Sequence, residues 1–251
     1  MRYSIIVPAW NEAAFIGDSL SRIQAAMAAC ASAHQGELIV VDNNSTDETA
    51  AIAREHGASV VFEPLNRIAR ARNAGAAVAS GDALVFVDAD SWCSGQLLAA
   101  ALERLAGGRV VGGGSTIAPD RPVAGNARRG LDFWNRIGTT LGLAAGCFVY
   151  CRADAFVDVG GFSEKVYAGE EIYLSRALKR WARRHGGLAF EIIEEAPVVT
   201  SVRKLDWYSA PQLVAQAALV FIPGALRSKR LCRTWYDTGE RAGARSAGSR
   251  T

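Results

Sequence analysis

The chain has 251 residues, half of them hydrophobic and 21% charged, which suits a globular protein with one large domain or one domain and a short appendage. A formal net charge of +3 makes no case for nucleic acid, and none is expected as a partner. Five cysteines without metal-type clustering exclude a disulfide scaffold. Cys147 and Cys151 sit four apart on one strand pattern, ~13 Å between Cα atoms, so free thiols in a reducing cytoplasm are expected.

Met1-Arg2 leads straight into a strand pattern, so no signal peptide is expected. Tyr3 to Val7 is that strand, followed by a helical pattern from Glu12 to Ala29. A second strand covers Glu37 to Val41 and a second helix Ser45 to His56, where Ser45 and Glu48 have capping-box spacing. Ser59 to Phe62 is a third strand, Ala69 to Ala79 a third helix and Ala83 to Val87 a fourth strand. The near-continuous Val/Ile/Leu runs are those of strands covered on both faces, and the alternation predicts an α/β fold with a mostly parallel sheet.

Regular alternation stops near Asp90. Ser115 to Leu141, rich in Gly, Pro, Arg and Asn, reads as a mobile, mostly loop segment. Cys147 to Arg152 is a further strand, Glu171 to Arg184 a helix, and Leu188 to Ile193 and Val198 to Ser201 two short strands. The expected organisation is a domain over 1–203, an amphipathic helical extension over 204–238 and a disordered tail over 239–251. The longest apolar stretch, Leu213 to Leu226, is interrupted by Gln216, Pro223 and Gly224 and is short of the ~20 residues that span a bilayer.

Three segments fall at carboxyl ends of strands, where open parallel sheets bind ligands. Pro8-Ala9-Trp10-Asn11-Glu12 follows the first strand and Asp42-Asn43-Asn44-Ser45 the second; each is also a plausible turn into a helix. Asp88-Ala89-Asp90 ends the fourth. Two carboxylates that close are costly unless something positive neutralises them, and a divalent cation on a diphosphate does so, hard oxygen ligands suiting Mg²⁺ or Mn²⁺; a solvated acidic turn is the other reading. Of Arg67, Arg70 and Arg72, helical spacing sends at least one to solvent, and Arg72, beside the short residues Asn73-Ala74-Gly75, is the favoured ligand contact. Glu170-Glu171 opens a helix, where the macrodipole favours an ionised carboxylate, as suits a general base and equally an ordinary first-turn Glu. His34, His56 and His185 lie outside every candidate segment.

Together these segments resemble the inverting family-two glycosyltransferases of the GT-A fold, of the dolichyl-phosphate-mannose synthase-like type. The matching runs are Ile5 to Glu12, Val40 to Thr49, Ala71 to Gly75, Gly81 to Ser91, and Gly160-Gly161-Phe162 through Glu170-Glu171. The resemblance implies transfer of a sugar from a nucleoside-diphosphate sugar to an acceptor hydroxyl, with UDP the first choice of nucleotide and GDP the second. It implies a nucleotide-sugar site of Pro8, Ala9, Asn11, Glu12, Asp42, Asn44 and Arg72. Asp88, Ala89 and Asp90 match the metal motif, with Asp90 the more direct ligand. Glu170-Glu171 matches the Glu-Asp pair whose second member is the base, here one methylene longer. Ala177 stands where processive members carry Gln before Arg180-Trp181, which implies a single transfer. Arg203-Lys204 matches basic positions that face the diphosphate.

Two alternatives are a sugar-nucleotide nucleotidyltransferase and a catalytically weak nucleotide-sugar-binding protein. The loop Pro8 to Glu12 lacks the Gly-rich basic character of the first, and the intact acidic motifs disfavour the second. Trp207, Tyr208 and Phe221, followed by Arg227, Lys229, Arg230 and Arg233 and then Trp235 and Tyr236, fit an interfacial helix on anionic lipid as well as a helix packed on the domain. A peripheral place on the inner face of the membrane, a lipid-linked acceptor and a part in cell-envelope polysaccharide or glycolipid synthesis are the corresponding expectations.

Overall fold

The structure, a computed structural model, describes residues 1–207 and beyond them 212, 219, 222, 224–228 and 230–232. Strand β1 (Arg2–Ala9) is buried from Tyr3 onward on both of its faces. Tyr3, Ile5 and Val7 point into one layer with Ile16, Leu20 and Ile23, and Ile6 into the other with Ala69, Leu174 and Leu178. A period of two cannot show as alternation when both faces are covered, which is why the run is apolar throughout.

Strands β2 (Gln35–Asp42), β3 (Ser59–Phe62) and β4 (Ala83–Val87) join β1 in parallel, linked by helices α1 (Ile16–Cys30), α2 (Thr49–Glu55) and α3 (Ile68–Val78). Strand β5 is Ser91–Trp92, β6 Val110–Pro119, β7 Phe148–Arg152 and β8 Ala189–Thr200. The sheet order is β3-β2-β1-β4-β7-β6-β8-β5. Strand β7 is antiparallel to both β4 and β6, so the sheet is parallel in its first half and mixed in its second. Helices α4 (Gly95–Ala106), α5 (Gly125–Leu141), α6 (Ala153–Asp158), α7 (Glu170–Arg184) and the short α8 (Lys204–Trp207) complete the order. All five cysteines are free and buried.

Several expectations are corrected. The segment Ser115 to Leu141 is not mostly loop: it contains the end of β6 and the whole of the 17-residue α5. Composition misleads because α5 is polar on average and buries none of its residues fully, although Leu131, Trp134, Ile137 and Leu141 recur at helical spacing. Asn135 holds it in place, its side chain accepting from Ile117 N and donating to Ile117 O, and Gly142 ends it in the left-handed conformation (φ 56°). The two short strands at 188–201 are one, with a register shift against β6 between Ser115 and Ile117. Ser45 does not cap a helix: α2 starts at Thr49, and Ser45 Oγ accepts from Asn11 N. Helix α1 starts at Ile16, four residues later than the pattern from Glu12.

Gly75 lets α3 close onto the sheet rather than onto a ligand, since a Cβ there would come within 2.4 Å of Ile6 Cγ2. Of the extension expected over 204–238, only α8 and scattered later positions are described. Tyr208, Phe221, Lys229, Arg233, Trp235, Tyr236 and the 239–251 tail lie outside the described residues. Among those described, Leu226 O accepts from Tyr167 N at 2.7 Å, and Leu226 and Cys232 pack on Val166 and Ala168. No helix among the described residues is long and apolar enough to cross a membrane.

Candidate active site

Parallel pairing sets the carboxyl ends of β1, β2 and β4 side by side, with Ala9 opposite Asp42. Over this edge lies a cavity of about 310 Å³, at the small end of the range for ligand pockets. One wall is the end of β1 and the loop after it (Pro8, Ala9, Trp10, Glu12), the floor Asp88-Ala89-Asp90, and the far wall Tyr167 to Glu171 at the start of α7. No histidine lines it.

The loops after β1 and β2 are stitched together. Asn11 and Asn44 both adopt left-handed backbone conformations (φ 53° and 66°), which asparagine tolerates better than most residues. Thr46 N donates to Asn11 Oδ1 at 2.8 Å, and Glu12 N to Thr49 Oγ1 at 2.8 Å. Asp42 Oδ1 accepts from Ser45 N, closing a local turn. The side chains of Asn11 and Asp42 are thus tied into the loop frame, and neither they nor the exposed Asn44 are among the residues lining the cavity. Asn43 lines it instead. Its Nδ2 donates to Glu63 O and Leu65 O, and its Oδ1 accepts from Arg67 N, so it anchors the entry to α3.

Asp88 and Asp90 have cationic partners that the local sequence does not reveal. Arg72, 1% exposed, donates from Nη2 to Asp88 Oδ1 and to Gly146 O, both at 2.7 Å, and from Nη1 to Glu170 Oε1 at 2.5 Å. Burial opposes its charge, and the carboxylates of Asp88, Glu170 and Glu171 outweigh that, so its pKa is raised. The favoured ligand contact does line the cavity, but as a buried strut between the acidic motif and α7. Arg70 pairs with Glu63 and Glu164, and Arg67 donates to Glu164 O and lies over the Tyr167 ring, so all three arginines of this stretch are engaged.

Arg203, from the segment after β8, reaches the opposite side. Nη1 donates to Glu12 Oε2 at 2.7 Å, and Nη2 pairs with both Glu12 and Asp90, the latter at 3.1 Å. Of the two basic positions expected here, Arg203 is thus on the cavity wall, touching carboxylates.

Helix α7 begins after Gly169, whose left-handed φ of 71° favours glycine. Glu170 is buried, 2% exposed, and takes Arg72. Glu171 is half-buried on the wall. Burial of its carboxyl, then the neighbouring Glu170, push the Glu171 pKa up to about 8. This corrects the expectation that the helix start keeps it ionised at neutral pH. The macrodipole contributes at most ~1–2 kcal/mol, whereas desolvating a carboxylate costs several. Burial likewise raises Glu170, against the pull of Arg72.

The cavity wall thus carries five carboxylates, Glu12, Asp88, Asp90, Glu170 and Glu171, against two guanidiniums, Arg72 and Arg203. Among the described residues there is no compact group of three or more potential metal-ligating side chains.

A mixed sheet of this order, with a cavity over the ends of its parallel half and an acidic motif at its floor, is the GT-A architecture. Over residues 4–156 the sequence matches Glycosyl transferase family 2, and the chain belongs to that family. It is 36% identical over 122 residues to an uncharacterised glycosyltransferase of Mycobacterium bovis, an alignment covering 49% of this chain and 50% of that protein. The chain therefore spans about half the length of the curated relatives it matches. Among solved structures it resembles a Pyrobaculum calidifontis mannosyltransferase in complex with GDP-Man and Mn²⁺, with a TM-score of 0.68 and 23% identity over 92% of this chain and 68% of that one. It also resembles the Mycobacterium tuberculosis glucosyl-3-phosphoglycerate synthase in complex with Mn²⁺, UDP and glucosyl-3-phosphoglycerate. There the TM-score is 0.61 and the identity 22%, over 92% of this chain and 79% of that one.

Proposed function

We propose that this chain transfers one sugar from a nucleoside-diphosphate sugar to an acceptor hydroxyl, with inversion at the anomeric carbon. The observation that carries the reading is the charge balance of the cavity. A pocket walled by five carboxyl groups and two guanidiniums stays net negative even with Glu171 protonated, and repels an anionic donor unless further positive charge comes with it. Asp88 and Asp90 offer the hard oxygens that Mg²⁺ or Mn²⁺ prefers, so the residues fit a divalent ion. Such an ion, when bound, neutralises charge growing on the leaving diphosphate. Asp90 is the more direct ligand: Asp88 is held by the fully buried Arg72, whereas the partner of Asp90, Arg203, is partly exposed and pairs at a longer distance.

The chain's own residues do the remaining work. Pro8, Ala9 and Asn43 bound the nucleoside side of the cavity, and Asn11, Asp42 and Asn44, at the same strand ends, complete the nucleoside site, Asn11 and Asp42 also framing its loops. Glu171 takes the proton of the acceptor hydroxyl. The acceptor oxygen bonds the anomeric carbon as the bond from that carbon to the diphosphate oxygen breaks, and the nucleoside diphosphate leaves with the electron pair. Positive charge arriving in the pocket lowers the Glu171 pKa and readies it for this role. Ala177, in place of the glutamine of processive relatives, supports a single transfer.

UDP-sugars are the first choice of donor and GDP-sugars the second, and the two structural relatives above hold one nucleotide of each kind. The test is a panel of UDP- and GDP-sugars with Mn²⁺, followed by release of nucleoside diphosphate and mass spectrometry of products. Release from at least one donor is expected; no release and no thermal stabilisation by any of them overturns the reading.

A further inference from the structure

Arg203 occupies the position where a cation is needed. Its fork grips the Glu12 carboxylate with both Nη atoms and reaches Asp90 Oδ2 at 3.1 Å, joining the loop after β1 to the acidic motif after β4. The guanidinium lies 4.5 Å over the Phe15 ring and 5.5 Å from the Trp207 ring, and its side chain is 16% exposed. Its Nε is buried with no hydrogen-bond partner among the described residues, a donor that this arrangement leaves unsatisfied.

The backbone beneath it is fixed independently of the side chain. Ser201 N donates to Asp90 O at 3.0 Å, Ser91 Oγ to Thr200 Oγ1 at 2.7 Å, and Val202 N to Asp120 Oδ1 at 3.1 Å. The Arg203 side chain can therefore change partners while its Cα stays beside the motif. A guanidinium and a divalent ion cannot both sit close against the same Asp90 carboxylate without repelling each other. A diphosphate, by contrast, offers oxygens to both fork and Nε.

We infer that Arg203 is a resident counter-cation that competes with the divalent ion for Asp90, so that the ion binds well only together with a nucleoside diphosphate that takes the guanidinium over. The inference rests on the proposed sugar-transfer reading. Metal and nucleotide are then positively coupled through one side chain, and the coupling is reciprocal.

Mn²⁺ titration followed by electron paramagnetic resonance of the free ion tests this on the full chain, alone and with UDP or GDP. Wild type is expected to bind Mn²⁺ weakly alone and strongly with nucleotide. Arg203→Gln, which keeps polarity but loses the charge, is expected to bind Mn²⁺ alone about tenfold tighter or more, and to gain much less on adding nucleotide. Arg203→Lys keeps the charge without the fork and is expected to fall between them; it decides the matter if the Gln variant does not fold. Equal Mn²⁺ affinity in wild type and variants, with nucleotide binding intact, overturns the inference and leaves sugar transfer standing. Failure of wild type to bind Mn²⁺ or nucleotide under any condition overturns both.

Discussion

Replacing Glu171 by Gln is expected to stabilise the protein while stopping its chemistry. The Glu171 pKa is 4.5 in an exposed chain and is pushed up to about 8 in the folded protein by burial and by Glu170. Between those values the folded state holds a proton that the unfolded state has released, so stability falls as pH rises from about 4.5 and levels off above about 8. At 1.36 kcal/mol per pKa unit the loss accumulated by pH 7 has a ceiling of roughly 3 kcal/mol. Glu171 is half-buried beside a water-accessible cavity, and Glu170 titrates with it, so about 1–3 kcal/mol is the working range.

Glutamine has no proton to lose. In metal-free urea unfolding, Glu171→Gln is expected to match wild type near pH 4.5 and to gain about 1–3 kcal/mol by pH 8. In transfer assays the same variant is expected to lose ~10²–10⁴-fold in kcat with donor affinity nearly unchanged. Wild-type kcat/KM is expected to rise toward pH 8, as the carboxyl pair gives up its proton. A stability difference that stays flat from pH 5 to 8 refutes the burial reasoning. Transfer at the wild-type rate by Glu171→Gln, with loss in Glu170→Gln, reverses the roles of the two residues.

Asp90→Ala, and excess EDTA with wild type, are expected to remove most activity with the fold intact by circular dichroism; full turnover in either refutes the metal assignment. Arg72→Ala is expected to lower stability by about 3–5 kcal/mol in denaturant unfolding, because it leaves Glu170 and Asp88 without their buried partner. Loss of under 1 kcal/mol would show that the strut carries little. Co-sedimentation with anionic vesicles is expected and should weaken with added salt, given exposed Arg176, Arg180, Arg183 and Arg184 on α7 and exposed Arg227 and Arg230 after it. Equal recovery in the supernatant with and without lipid counts against a membrane-bound acceptor.

The parallel half of the fold was legible because its signals are local. The β3 and β4 bounds, Ser59–Phe62 and Ala83–Val87, are those read from apolar runs alone. The mixed half was less so. Helix α4 was overlooked although its signal is strong: Ser94 caps it through Leu97 N, and Leu97, Leu98, Ala101, Leu102 and Leu105 form a buried stripe. Helix α5 has helical spacing of apolar residues but buries none of them fully, and its anchor, Asn135 on the backbone of Ile117, is a contact between segments that no periodicity reports. The candidate segments at the strand ends were found from sheet direction. Within the second segment Asn43 is on the cavity wall while Asp42 closes the turn through Ser45 N, a distinction set by backbone conformation that no sequence pattern reports.

Charge is where a local reading fails most, and the reason is geometric. In the sequence Asp88 and Asp90 form an acidic pair with no cationic residue beside them. Arg72 is 16 residues from Asp88 and 98 from Glu170, and Arg203 is 191 from Glu12, yet all meet across one cavity. These two arginines leave room for a divalent ion, on a different basis. An isolated acidic pair needs any positive neighbour, and two arginines supply that. A pocket that still holds more carboxylates than guanidiniums, with one guanidinium fully buried and the other bridging Glu12 and Asp90, is short of positive charge at the moment an anionic donor enters. It is this second shortage, visible only with the elements assembled, that a divalent ion arriving with the donor would meet.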